Sequence, residues 1–254
     1  MATARPLIGF VSLFLLAGGV LLQFLVILSG TTQRNPENQI YFIQASTNGI
    51  PGARNPSRWT FFSICGVDDN GRNTDCGATV PALPFSPPNR HDFGTNVGVP
   101  PQFIGTHHYY YLSRFMFALY LIALFFSVIS LFTGLLALCS RLGGYLSGLN
   151  VAIAFFFQAI TASLMTACFV QGRDAFRSAG QQASLGVKAF AFTWTSTFIF
   201  LLCTVLFCMG GSVSKTSSSS YRRRRGLFGR KASTRSRGSF IDTESQRRVK
   251  DEYE

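Results

Sequence analysis

The chain has 254 residues, of which 47% are hydrophobic and only 13% charged, with 26 Phe and a net charge of +12. Soluble domains carry about a quarter of their residues as charges, so this composition excludes an ordinary soluble globular protein and points to a membrane. The charge is uneven: residues 212–254 hold 12 Lys/Arg against 5 Asp/Glu, whereas residues 30–114 hold 6 against 5.

Residues 1–6 form a short N-terminus with Arg5. Residues 7–29 are uncharged, with Gln23 as the strongest polar group, and are long enough to cross about 30 Å of hydrocarbon as a helix. Ser29-Gly30 offers a signal-peptide cleavage point, but the apolar run exceeds an ordinary signal core. The expectation is a retained first span.

Residues 30–114 are the one sizeable polar region. Residues 39–45 and 58–64 are rich in β-branched and aromatic side chains and bounded by Asn, Gly and Pro, so each is predicted as a short strand. Asp68-Asp69, Asn70-Gly71 and Asn48-Gly49 supply turn chemistry. The proline-rich run 80–101 reads as an extended connection. Asn55-Pro56-Ser57 is no glycosylation acceptor, because proline occupies the middle position.

Cys65 and Cys76 lie in this region with ten residues between them. A bridge between them would close a short loop, a constraint that stabilises by about 2–3 kcal/mol in the chain-entropy account. It persists only in an oxidising compartment. Trp59, Phe61 and Phe62 precede Cys65-Gly66 and are expected to pack on the bridge. Two unpaired thiols in a flexible loop are the alternative.

His107-His108 is followed by three tyrosines. Adjacent histidines point in different directions, and an aromatic belt at headgroup level accounts for the whole run better than a metal site does. The second span covers 115–138, a short connection 139–145 carries Arg141, and the third span covers 146–170. Gly144, Gly148 and Ala152 recur every four residues, as do Ala159, Ser163 and Ala167, a spacing that lets helix backbones approach closely. Residues 171–189 form a second polar loop with Arg173, Asp174, Arg177 and Lys188, and 190–210 form the fourth span, with Trp194 near its start.

Residues 211–254 change character, from a serine run to the polybasic Arg222, Arg223, Arg224, Arg225, Arg230 and Lys231. No core can form in such a segment, and disorder in water is expected. On a chain anchored in lipid, a basic tail meets anionic inner-leaflet lipids rather than nucleic acid. Ser233, Ser236 and Ser239 stand in a basic context that basophilic kinases accept, and phosphate there would oppose lipid contact. Cys139 and Cys208 sit near helix ends, where S-palmitoylation and plain apolar packing are both open.

Arg5, Arg141 and the arginine cluster share one side of a four-span chain, and excess Lys/Arg marks the cytosol. Arg173, Arg177 and Lys188 oppose this but are outweighed. Both termini are therefore expected in the cytosol and residues 30–114 outside, in agreement with the separate argument from the cysteines. The expected fold is an all-α membrane protein: a four-helix transmembrane bundle with a small disulfide-closed, β-containing extracellular loop.

Four spans with a Trp…Cys…Cys outer loop resemble the claudin-like tetraspan superfamily. Within it, the block Arg58-Trp59-Thr-Phe-Phe-Ser-Ile-Cys65-Gly66 is similar to the fungal SUR-seven/PalI family of plasma-membrane proteins, over roughly residues 5–209. The Gly-Leu-Trp triplet that precedes the first cysteine of claudins is absent here, and with it the basis for a paracellular barrier. The resemblance implies residence in sterol-rich, furrow-like plasma-membrane domains associated with eisosomes. It also implies roles in membrane organisation, endocytosis and cell-wall construction, with other membrane proteins as partners.

No span carries an ionisable residue at its centre, where transporters and proton relays place one. Gln23 and Gln158 are suited to hydrogen bonds between helices. No catalytic triad, phosphate loop, cofactor motif or metal-spaced cysteine set is visible, so the expectation is a non-enzymatic, cofactor-free organising protein. The rival readings are an accessory subunit of a PalI-type ambient-pH sensing complex and a channel or channel regulator.

The tail supplies a first test. Binding of a synthetic peptide covering residues 221–237 to anionic vesicles should weaken steeply with added salt, because attraction decays over about 8 Å at physiological ionic strength. Phosphate at Ser233 should weaken it further. Equal binding to neutral and anionic vesicles would leave the cluster as a topology signal alone.

Overall fold

The computed structural model describes residues 4–139 and 141–212; Arg222, Arg223, Arg224, Arg225, Arg230, Lys231, Ser233, Ser236 and Ser239 lie outside the described residues, as does the side chain of Cys139. Four helices dominate: α1 (Ala4–Ile27), α2 (His108–Cys139), α3 (Arg141–Ser178) and α4 (Val187–Ser212). Each contains a window apolar enough to cross a membrane. None contains proline after its first turn, so every helix can satisfy its own backbone, as hydrocarbon requires.

The helices outrun the apolar stretches that mark them in the sequence. α3 continues through Arg173, Asp174 and Arg177 to Ser178, so much of the second polar loop is helix. The remainder contributes strand β5 (Ala183–Leu185). The first polar region supplies β1 (Ile43–Ala45), β2 (Ser57–Trp59), β3 (Ile64–Val67) and β4 (Asn73–Thr74). Together they make one antiparallel sheet in the order β4-β3-β2-β1-β5.

The single strand expected over 58–64 is two strands joined by a tight reversal. The Thr60 amide donates to the Ser63 carbonyl (3.1 Å), and the Thr60 hydroxyl both donates to that carbonyl (2.7 Å) and accepts the Ser63 amide (3.1 Å). Local hydroxyl–backbone bonds of this kind compete with the ladder and turn the chain. Trp59 then pairs with Ile64 and Arg58 with Cys65.

Register decides what each face of the sheet does, because successive side chains alternate. Leu185, Ile43, Trp59 and Ile64 share one face; Ser184, Gln44, Arg58 and Cys65 share the other. The first set is joined by rings from the adjoining loops against the ends of α2 and α3. Phe42 lies flat on Phe169 (4.9 Å, 4°), Phe61 meets Phe117 and Tyr120 edge-on, and Trp59 and Phe85 reach Phe176 and Phe169. At Gly172 a Cβ would stand 2.4 Å from a Phe85 ring carbon, so glycine is what admits that ring against α3.

Within the bundle α1 contacts α2 and α4, and α3 contacts the same two, which leaves α1 and α3 on a diagonal. The Gln23 amide donates across it to Gln158 Oε1 (2.8 Å). Ser127 of α2 donates to Gln23 Oε1 (2.7 Å), and Gln158 Nε2 donates to Ser196 of α4 (3.1 Å). One network thus joins all four helices. Of the small residues, Gly148 is buried, and a Cβ there would meet Phe207 of α4 at 3.3 Å. Ser163 and Ala167 are exposed and Ala159 half-buried, so the second stripe lies toward the outside.

Replacing either glutamine by leucine leaves buried partners unbonded. Gln23→Leu and Gln158→Leu should each lower thermal stability in detergent. A double-mutant cycle should give a coupling of about 1 kcal/mol, the usual size of an intramembrane hydrogen bond; additive effects would show the pair is not coupled.

Candidate functional site: the lobe at the end of the bundle

The sheet, its loops and the disulfide make a lobe at the end of the bundle where α1 and α3 finish and α2 and α4 begin. Cys65 and Cys76 are bonded, which ties β3 to the chain leaving β4. The β3–β4 hairpin turns through Asp68 and Gly71, where the Gly71 amide donates to the Asp68 carbonyl (2.9 Å). Arg54 pairs with Asp75 beside the bridge (2.8 Å).

Trp59 does not pack on the bridge. It sits on the sheet face opposite Cys65, 1% exposed, with Phe85, Phe93 and Phe176 around it. Phe61 lies against Phe42 and Phe117, and Phe62 against Phe117. The aromatic residues of the motif therefore join lobe to helices, while Cys65 and Cys76 brace the outer hairpin. Gly66 pairs with Thr74. His107 and His108 stand at the start of α2 with their rings toward Tyr111 and Tyr109. Cys208 is exposed on α4.

Asp92 was not singled out in the sequence. It comes from the proline-rich connection, and its Oδ2 accepts the Ser86 amide (2.9 Å) and the Trp59 indole N–H (3.4 Å). Its Oδ1 is enclosed without a hydrogen-bond partner. Burial pushes the carboxyl up to about 7, opposed in part by those two donors. Arg58 is likewise enclosed, 6% exposed, and donates to Gln44 Oε1 (2.8 Å), the Gly71 carbonyl (2.9 Å) and Asn73 Oδ1 (3.1 Å). Burial holds its guanidinium below its ordinary range. Asp92 lies in no motif and Arg58 opens the Arg58–Gly66 block, but for both only the folded register brings the partners together. Beside β1 and β5 a polar cleft of about 600 Å³ is lined by Gln44, Asn55, Arg177 and Gln181 among others.

An acid held above its ordinary range binds its proton more tightly in the folded lobe than in the unfolded chain. Its contribution is therefore most favourable below about pH 4 and declines as pH rises through about 7. Asp92→Asn keeps an acceptor for the Trp59 indole and removes the titration. The melting temperature of the purified protein should fall between pH 5 and about pH 8, and Asp92→Asn should flatten that slope; an unchanged slope would exclude Asp92 as its source.

Residues 8–207 match the SUR7/PalI family. The chain is 43% identical over 195 residues to the SUR7 family protein FMP45 of Saccharomyces cerevisiae, covering 76% of this chain and 62% of that protein. It is 37% identical over 216 residues to the protein SUR7 of Candida albicans, covering 84% and 76%. An uncharacterised plasma membrane protein of Saccharomyces cerevisiae is 34% identical over 209 residues, covering 80% and 69%. The chain thus spans less than two thirds of the length of FMP45. A family match along nearly the whole described chain, four membrane-capable helices and a disulfide-braced lobe lead to one assignment: this chain is a membrane protein of the SUR7/PalI family.

Proposed function

We propose that the protein resides in the plasma membrane and organises a lateral domain there, with no chemistry of its own. The observation that carries this reading is the use of polar side chains inside the bundle: Gln23, Ser127, Gln158 and Ser196 bond to one another rather than lining a path. What remains for function is surface. Phe14, Phe125, Phe132 and Phe198 project from the helices toward lipid or neighbouring proteins.

In this reading the lobe lies outside the cell and both termini lie in the cytosol. The basic tail rests on anionic inner-leaflet lipids, its reach limited by a short linker after α4. The site residues divide accordingly. Trp59, Phe61, Phe62 and the Cys65–Cys76 bridge keep the lobe in one shape for recognition, and the tail holds the cytosolic side to the membrane. Eisosome-associated domains, endocytosis and cell-wall construction are the processes that this family membership suggests.

Imaging of the tagged full chain in a fungal cell tests this. Static cortical patches, with a tail tag unreachable from outside and lobe residues accessible to impermeant reagents, are expected. Uniform, freely diffusing fluorescence or an externally reachable tail would overturn it.

A further inference from the structure

A second cleft lies where the lobe meets the start of α4. Its volume is about 460 Å³, and its walls carry Gln39, Tyr41, Arg58, Asn70, Arg72 and Lys188, with Val187 at its margin. Three cations thus face one concavity with no carboxylate in its lining. The residues come from four separated parts of the chain: the approach to β1, β2, the β3–β4 hairpin and the first turn of α4.

Among the described residues the ion pairs are Arg54–Asp75 and Arg173–Asp174, so none of the three cations is in an ion pair. Arg58 is the decisive one. Its guanidinium is held by Gln44, Gly71 and Asn73 and lies 4.0 Å over the Tyr41 ring. Every one of those partners is neutral. Asp68 acts on Arg58 across space without forming an ion pair with it, and its Oδ1 accepts the Arg72 amide (2.6 Å). An enclosed cation with no carboxylate in contact is costly, and a bound anion lowers that cost. Lys188 donates to Gln39 at the rim, which holds its ammonium beside the cleft. The first-turn amides of α4 add the positive end of a 26-residue helix.

The occupant's class follows from chemistry and place. A tetrahedral oxyanion suits a cleft lined by one enclosed guanidinium and two exposed cations, Arg72 and Lys188. Val187, 78% exposed, opens the membrane-spanning run of α4, so an apolar tail attached to the anion would continue along that helix. Gly186 holds the start of α4 close to Tyr41: its amide donates to the Phe42 carbonyl (2.9 Å), and a Cβ there would overlap the Tyr41 carbonyl.

We propose that this cleft binds a phosphate group, presented by a lipid headgroup of the lobe-side leaflet or as free phosphate. None of the residues that line the site belongs to the basic tail. The site holds whether or not the protein organises a membrane domain.

Hydrogen–deuterium exchange on the full chain in phosphatidylcholine nanodiscs reads the site directly. The probes are short-chain phosphatidic acid, inorganic phosphate and, as a control without phosphate, short-chain diacylglycerol. Slowed exchange at residues 70–73 and 187–190 with phosphatidic acid but not with diacylglycerol is the expected result. Slowing by inorganic phosphate as well identifies the free anion as sufficient; slowing by phosphatidic acid alone identifies the lipid. The exposed double variant Arg72→Gln/Lys188→Gln leaves the enclosed Arg58 network in place and should raise the half-saturating concentration about tenfold. Unaltered exchange at both segments in the wild-type chain, or equal half-saturation in the variant, would overturn the proposal.

Discussion

Phe42 against Phe169 sets the relation between the two halves of this molecule. Phe42 leads into the first strand and Phe169 stands on the third helix, and their rings are parallel at 4.9 Å. Around that contact Phe61, Phe85, Trp59, Phe103 and Phe176 close a continuous aromatic core. The lobe is small and could not bury enough surface by itself. It gains its interior by borrowing faces of α2 and α3, so lobe and bundle share one core rather than abutting.

The remaining constraints are polar. Inside hydrocarbon an unbonded amide is expensive, and the four helices answer with a network centred on the Gln23–Gln158 diagonal. Of the other side-chain hydroxyls in the spans, some return to their own helix, as Ser163 does to Ala159 and Thr197 to Thr193, while Ser130 and Ser147 bond between α2 and α3. In the lobe the same economy places Arg58 among neutral acceptors and Asp92 between two donors. These two enclosed ionisable groups differ in setting: Asp92 can discharge by taking up a proton, whereas Arg58 keeps its charge at any physiological pH.

Much of this was legible in the sequence because it rests on local signals. Long apolar runs declare helices, and two cysteines in a polar loop declare a bridge. The glutamines stand out as the strongest polar groups in apolar spans, which is why they could be read as interhelical partners. What failed was whatever depends on register between distant segments. The turn at 60–63 hides in a run of apparently good strand formers. β5 is three residues whose strand identity comes from pairing with β1, some 140 positions earlier. Trp59 and Cys65 are close in sequence, yet the turn between them puts their side chains on opposite faces. Arg58, Arg72 and Lys188 carry no mutual spacing at all, and only the closed sheet and the start of α4 bring them together.

The length of α3 has a mechanical meaning. At 1.5 Å per residue its 38 residues extend about 57 Å, well beyond a hydrocarbon layer of about 30 Å. The lobe is clamped toward the far end of this helix, at Phe169, Gly172 and Phe176. A helix meets a thicker or thinner bilayer by changing its tilt, and a lobe fixed to its far end must swing with it. The shaft that crosses the lipid is thus also the arm that aims the lobe, so local bilayer thickness becomes an angle at the surface.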